Sequence, residues 1–183
     1  MFLHSKYCRS RLLGIVAMLF TIGDAAAVEN KYETPLGTVI IDVDSNWSEM
    51  SSVPEGLEGI GFEVDGGKVM QFMLGTHDEL PSGAADAGAL RQLTNDLRRS
   101  DEAEKLEVSE EIMSLSNAGL RGYYYHATNP AAIPAPGDYK YMCTGFIAVG
   151  SDPLMFIIAW NAGGKSAADR ALSALNRMRI ERR

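Results

Sequence analysis

The chain has 183 residues, of which 17 are basic and 24 are acidic, giving a formal net charge of −7. This acidic balance argues against nucleic acid and anionic membranes as partners, since both repel a negatively charged surface. It is compatible with a basic partner and equally with simple solubility. The length suits one domain with its own hydrophobic core.

The first 27 residues have the pattern of a secretory signal peptide. Lys6, Arg9 and Arg11 precede an uncharged apolar run over residues 12–23, and Ala25 and Ala27 then suit the small pockets of a signal peptidase. The run falls short of the roughly 20 apolar residues that span a bilayer, although an uncleaved anchor stays open as the alternative. We predict cleavage after residue 27 and export to the periplasm, with no membrane anchor afterwards.

The mature protein would then begin at Val28, and residues 28–183 would form a single domain. Removing three basic and one acidic residue leaves 14 basic and 23 acidic residues, a net charge of −9. Cys143 is the one cysteine in this part of the chain, so no internal disulfide is expected. Its alternating surroundings favour a buried, inert thiol, with a reactive or pairing thiol as the alternative.

The first half of the domain reads as three strands and a helix. Residues 38–44 alternate in the manner of a strand, and residues 59–65 and 68–75 form two more, joined by the hairpin signal of Gly66 and Gly67. Leucines at helical spacing then predict an amphipathic helix from about Ala85 to Arg99.

The second half reads as four strands and a final helix. Strands are predicted over residues 105–116, 118–129, 138–150 and 154–160, with a proline-rich loop from Pro130 to Gly137. The last strand is apolar on both faces, which indicates a central strand covered on both sides. A final helix follows, predicted to start at Ser166 with Asp169 in a capping box and to end near Arg179.

Short connections between successive strands predict an α+β fold, with a mainly antiparallel sheet of about six to seven strands flanked by two helices. This element order, with the last hairpin followed by the last helix, resembles the PsbP-like family of α/β/α sandwiches, named after an extrinsic photosystem II protein. The resemblance covers the whole predicted domain. It implies an accessory or secreted protein without catalytic residues, because the family is diverse and mostly non-enzymatic.

The stretch "AWNAGGKS", residues 159–166, nearly matches a phosphate-binding loop, but Ala159 replaces the first glycine. Such a loop lies early in a chain and is followed by several strand–helix units of a parallel sheet, whereas here one helix follows. We therefore predict no nucleotide binding, a turn at Gly163 and Gly164, and a helix cap at Ser166. Weak capture of an anion beside Lys165 stays open.

Tyrosines concentrate in the predicted hairpin around the proline-rich loop. On a strand Tyr123 and Tyr125 share one face, and Tyr124 and His126 share the other. We predict a partner-binding surface that comprises Tyr123, Tyr125, Tyr139, Tyr141 and Pro134. The alternative is that these rings pack across strands within the sheet.

Metal and catalytic signals are sparse. His77, Asp78 and Glu79 form one acidic run, which is typical of a solvated loop, and a zinc site usually shows two close ligand pairs. A dyad of Cys143 and His126 stays open because sequence spacing does not fix distance in space. No catalytic residue, metal or cofactor is predicted.

The favoured function is therefore a non-enzymatic periplasmic protein-binding module, either an accessory subunit or an inhibitor of the immunity-protein kind. A small-ligand or lipid carrier with an apolar groove between sheet and helix is the alternative. An unrecognised hydrolase is a third hypothesis.

Overall fold

The computed structural model describes residues 26–34, 37–77, 80, 83, 85–116 and 120–181. The predicted leader lies outside these residues except for its last two alanines. The elements, in chain order, are β1 (Ala27–Thr34), β2 (Gly37–Asp44), β3 (Ser48–Glu49), β4 (Leu57–Val64), β5 (Met70–His77), α1 (Ala87–Ala103), β6 (Glu107–Val108), β7 (Met113–Ser116), β8 (Arg121–Thr128), β9 (Tyr141–Val149), β10 (Asp152–Trp160), α2 (Lys165–Arg177) and β11 (Arg179–Glu181).

A large antiparallel sheet forms the centre of the molecule. Its strand order is β3-β4-β5-β10-β9-β8-β6, and β7 also pairs with β8. The hairpin predicted between β4 and β5 is confirmed, with Asp65, Gly66 and Gly67 all at positive φ (54°, 58° and 77°). Strand β10 is central, as predicted, because it lies between β5 and β9.

A second, three-stranded sheet of order β1-β2-β11 was not predicted. The polar strand β1 pairs along its whole length with β2, and the three-residue β11 pairs with the other edge of β2. The buried side of β2, formed by Val39, Ile41 and Val43, joins the same hydrophobic core as Phe72 and Phe156 of the large sheet. The prediction of one sheet of about six to seven strands therefore did not include this second sheet.

The two helices cover opposite faces of the large sheet. Helix α2 packs against β10 and β5 and also against β2, while α1 packs against β8 and β9. Asp86 caps α1, accepting hydrogen bonds from the backbone N–H groups of Gly88 and Ala89. The predicted α+β fold with two flanking helices is confirmed, and neither helix, in the part of the chain that the structure describes, has the length and apolar character to cross a membrane.

The segment predicted as one strand over residues 105–116 is divided into β6 and β7. Ser109 interrupts it, because its side-chain hydroxyl accepts a hydrogen bond from the backbone N–H of His126 and donates one to the Glu111 carbonyl. A serine hydroxyl that replaces a backbone group in this way competes with the strand ladder. The alternation of apolar residues gave no sign of this break.

The predicted boundaries of the last helix were wrong at both ends. Its N-cap is Gly164, with no side-chain hydrogen bond, and Ser166 lies inside the first turn, where its hydroxyl accepts from Arg170. At the other end the helix stops at Arg177, and Arg179 belongs to β11, where its guanidinium pairs with Glu29 at 2.8 Å. Arg179 therefore connects β11 to β1, the two edge strands of the small sheet.

Candidate functional site

The predicted surface of tyrosines is distributed over three places. Tyr123 and Tyr125 lie on the face of β8 that α1 covers, and Tyr125 is fully buried (0% exposed) with its hydroxyl donating to Asp101 Oδ2 at 2.5 Å. No partner can therefore reach the Tyr125 ring, while Tyr123 is half-buried. The alternative of packing within the sheet describes Tyr125.

The other members of the predicted surface lie beyond the end of β8. Pro134 is exposed in the loop between β8 and β9. Tyr139, at the end of that loop, donates a hydrogen bond from its hydroxyl to the Gly67 carbonyl in the β4–β5 turn. Tyr141 begins β9 on the opposite face of the sheet from Tyr125, beside Trp160.

An open cavity of about 320 Å³, here called the aromatic cleft, lies between the start of α2 and the sheet face formed by β8, β9 and β10. The sheet side is lined principally by His126, Tyr141, Cys143, Ile158 and Trp160. The helix side is lined by Lys165, Ala168, Asp169 and Leu172.

Aromatic rings form one wall of the cleft. The rings of Tyr141 and Trp160 stack with centroids 5.9 Å apart, and the His126 ring lies edge-on to Trp160 at 6.4 Å. Tyr124 continues the row, edge-on to His126 at 5.7 Å. Sequence reasoning identified Tyr141 but missed Trp160, which the chain contributes from the next strand.

The charged groups at the mouth of the cleft neutralise each other. Lys165 Nζ lies 2.7 Å from Asp169 Oδ2, one helical turn along α2, and both side chains are largely exposed. Partial burial lowers the pKa of His126, and the nearby Lys165 ammonium lowers it further, with Asp169 and a Met142 backbone hydrogen bond opposing. The His126 ring is therefore neutral at neutral pH.

The structure does bring Cys143 and His126 together, since they are direct cross-strand partners in β9 and β8. A nucleophilic cysteine needs a thiolate, which a nearby cation or histidine stabilises by lowering the thiol pKa. Here burial raises the pKa of the Cys143 thiol far above its ordinary value. The pair therefore has the proximity of a dyad without an activated nucleophile.

Asn161, the residue after Trp160, connects three loops beside the cleft. Its buried side chain (4% exposed) accepts a hydrogen bond from the Lys140 N–H and donates to the carbonyls of Lys68 and Asp138. These bonds connect three loops, namely the β4–β5 turn, the end of the β8–β9 loop and the start of α2. Sequence reasoning missed Asn161, because an asparagine after a strand is also typical of an ordinary turn.

The stretch "AWNAGGKS" forms the end of β10 and the start of α2. Strand β10 has antiparallel neighbours on both sides, as the prediction against a phosphate loop assumed. Gly164 is enclosed, since a Cβ there would lie 2.5 Å from the Val69 carbonyl oxygen, and Lys165 is engaged by Asp169. The absence of nucleotide binding stays a prediction.

The candidate metal run begins at His77, the last residue of β5, while Asp78 and Glu79 lie outside the described residues. Among the residues that the structure describes, no three histidine, cysteine, aspartate or glutamate side chains are grouped as a metal site would require.

The loop between β8 and β9 presents an isolated apolar side chain to solvent. Ile133 is 77% exposed, and Val28 is the other large hydrophobic residue exposed within the described chain. The loop is nevertheless held in one shape, because the Ile133 N–H donates to Asp138 Oδ2 and Ala135 forms a bridge with Asp138. At its base the Asn129 N–H donates to the Lys140 carbonyl.

Comparison with known proteins identifies a structural relative. No family model matches the chain, and no curated protein matches its sequence. The solution structure of cyanobacterial PsbP (CyanoP) from Synechocystis sp. PCC 6803 superposes with a TM-score of 0.56 at 10% identity, covering 92% of this chain and 100% of that one. The resemblance predicted from element order is thus confirmed at the level of the fold: this protein has the PsbP-like fold.

Proposed function

We propose that this protein is a non-catalytic accessory protein that binds another protein through the tip of the β8–β9 loop. The observation that carries the proposal is Ile133, a large aliphatic side chain left 77% exposed on an ordered loop. Scattered exposed hydrophobics are common, but one fixed at the apex of a structured loop is suited to anchor an interface. Pro134, the next residue, belongs to the same exposed tip.

Preorganisation of the loop supports the proposal. The side-chain oxygens of Asn129 and Asp138 accept hydrogen bonds from the backbone N–H groups of Ala131 and Ile133, respectively. Pro130, Pro134 and Pro136 further restrict the backbone. A loop already fixed in one conformation loses less entropy when it docks, so more of the contact energy appears as affinity.

The net charge of the predicted mature chain points to a basic partner. At −9 the domain attracts positively charged proteins over long range, and salt screens that attraction. The proposal therefore includes an association rate that falls as ionic strength rises. The periplasmic location rests on the predicted leader.

The non-catalytic part of the proposal has two supports. The protein has the PsbP-like fold, and the family that it resembles is mostly non-enzymatic. The most suggestive pair of reactive groups, Cys143 and His126, lacks an activated thiol because burial favours the neutral form of the cysteine.

The experiment compares stoichiometric partners recovered from periplasmic extract by wild type and variants. Ile133→Ser removes the apolar anchor, and Ile133→Leu keeps an aliphatic group of equal size at the same point. Val28→Ser removes the other exposed hydrophobic at a distant position on β1. Because truncating an interface anchor costs about 1–3 kcal/mol, Ile133→Ser should weaken binding of the recovered partner about 5- to 150-fold.

The controls should retain the partner. Ile133→Leu and Val28→Ser should bind it within about twofold of wild type. All three variants should unfold close to the wild-type temperature, since Ile133 and Val28 are both exposed. If Ile133→Ser binds the same partner with unchanged affinity, the loop tip is not the contact surface and the proposal fails.

A further inference from the structure

The aromatic cleft is independent of the loop tip and has the character of a small-molecule site. Its volume of about 320 Å³ falls at the lower end of the range of about 300–1,000 Å³ that is typical of ligand pockets. It combines aliphatic side chains, Ile158 and Leu172, with aromatic rings and with the polar side chains of Thr128, Lys165 and Asp169. A molecule of one or two rings matches this volume, whereas a lipid with two acyl chains does not.

The charges around the cleft favour an uncharged occupant. Lys165 and Asp169 already form an ion pair, and both lie at the mouth with side chains 77% and 64% exposed. A charged ligand would have to compete with that pair for Lys165 or Asp169. Burial raises the pKa of the Cys143 thiol and lowers the pKa of His126, so both of these groups are neutral at neutral pH.

The wall of the cleft favours a planar occupant. The Trp160 ring stacks on Tyr141 at a centroid distance of 5.9 Å and meets His126 edge-on at 6.4 Å. Aromatic rings prefer offset-stacked or edge-to-face contacts, which a planar ring gains in this setting and a saturated ring of the same size does not. We propose that the aromatic cleft binds a small, uncharged, planar aromatic molecule, held against Trp160 and Tyr141 on one side and against Ala168 and Leu172 of α2 on the other.

Trp160 supplies a direct reporter for the test. Trp47, the other tryptophan, lies in the core, where its indole N–H has no hydrogen-bond partner among the described residues, so Trp47→Phe is expected to fold and leaves Trp160 as the sole tryptophan. The probes form a matched series: p-cresol is planar and neutral, p-toluate is its anionic counterpart, p-methylbenzylammonium is cationic, and methylcyclohexanol is neutral and non-planar.

The expected result is a saturable change in Trp160 fluorescence with p-cresol, with a dissociation constant at least about tenfold lower than for each of the other three probes. Ala168→Leu fills the cleft from the helix side and should weaken p-cresol binding at least about tenfold. Ser173→Leu adds the same side chain to an exposed position of α2 and should leave p-cresol binding within about twofold. If Ala168→Leu does not fold, Tyr141→Leu at the half-buried wall takes its place with the same expectation.

Three results would overturn the inference: no saturable signal with p-cresol, a tighter complex with a charged or saturated probe, or p-cresol binding that survives in the filled cleft. Loss of the protein partner on filling the cleft, with no probe bound, would also overturn it and would make the cleft a protein-docking surface. Ile133→Ser should leave p-cresol binding unchanged, so the inference and the proposed function can fail separately.

Discussion

Replacement of Tyr125 by phenylalanine tests how α1 is fixed to the sheet. The variant removes one hydroxyl from a ring that is fully buried, and with it the 2.5 Å hydrogen bond to Asp101 Oδ2 on the last turns of α1. A hydrogen bond to a charged group contributes about 1.5–3 kcal/mol net. Asp101 is only half-buried and can turn towards water, so we expect a loss near the lower end, about 2 kcal/mol.

The assay is urea denaturation of the exported protein, combined with a double-mutant cycle. For a domain of this size, 2 kcal/mol corresponds to a fall in Tm of about 4–8 °C. In the cycle, Asp101→Ala alone should cost a similar amount, and adding it to Tyr125→Phe should cost little more. Tyr123→Phe is the control, since it lies on the same face of β8 and its hydroxyl bonds no other described residue, and it should change stability by less than about 0.5 kcal/mol.

The pH dependence of this variant has a defined sign. Burial raises the pKa of Asp101 above its ordinary value of 3.8, while the hydrogen bond from Tyr125 lowers it, so Tyr125→Phe should raise the Asp101 pKa further. A folded-state pKa above the unfolded value stabilises the fold in acid and loses that contribution as pH rises through the folded pKa. The cost of the variant should therefore be larger at neutral pH than near pH 3. An equal cost at both pH values, or additive effects in the cycle, would refute this reasoning.

Four further outcomes are expected. Asn161→Ala should cost about 2–4 kcal/mol in urea denaturation, since it removes three partly buried hydrogen bonds that connect three loops; a loss below 1 kcal/mol would contradict its connecting role. Cys143 should resist iodoacetamide in the native protein and react on unfolding, because burial keeps its thiol protonated; mass spectrometry of the labelled peptide decides. The pKa of His126 in the folded protein lies below its ordinary 6.5, so the stability that depends on its neutral form is fully present above pH 6.5 and is lost as the pH falls through the folded pKa. His126→Gln should therefore reduce the loss of stability that wild type shows between about pH 7.5 and 5. Ser166→Ala should change stability by less than about 0.5 kcal/mol, since Gly164 is the N-cap; a loss of a full 1 kcal/mol would restore the capping interpretation.

The sequence by itself determined the order of the main elements. Alternation in β2 and β4, the apolar run of β10, the glycines at the β4–β5 turn and the leucine spacing of α1 are local signals, and local signals are sufficient to identify hairpins and amphipathic helices. Short connections then required antiparallel neighbours, and two helices with apolar faces required a sheet between them. The PsbP-like fold followed from that order.

The tertiary structure alone decided which face each tyrosine occupies and what lies beside it. The side chains of Tyr125 and Tyr141 lie on opposite faces of one sheet. Helix α1 covers Tyr125 and buries it, whereas Tyr141 lines the cleft beside α2. The small sheet includes β11, a three-residue strand that pairs with β2, which lies about 140 residues earlier in the chain. Trp160 contacts Tyr141 because β10 pairs with β9. Asn161 connects loops that are more than 90 residues apart in the chain. Such contacts depend on how distant elements pack, and no local pattern of apolar and polar residues encodes them.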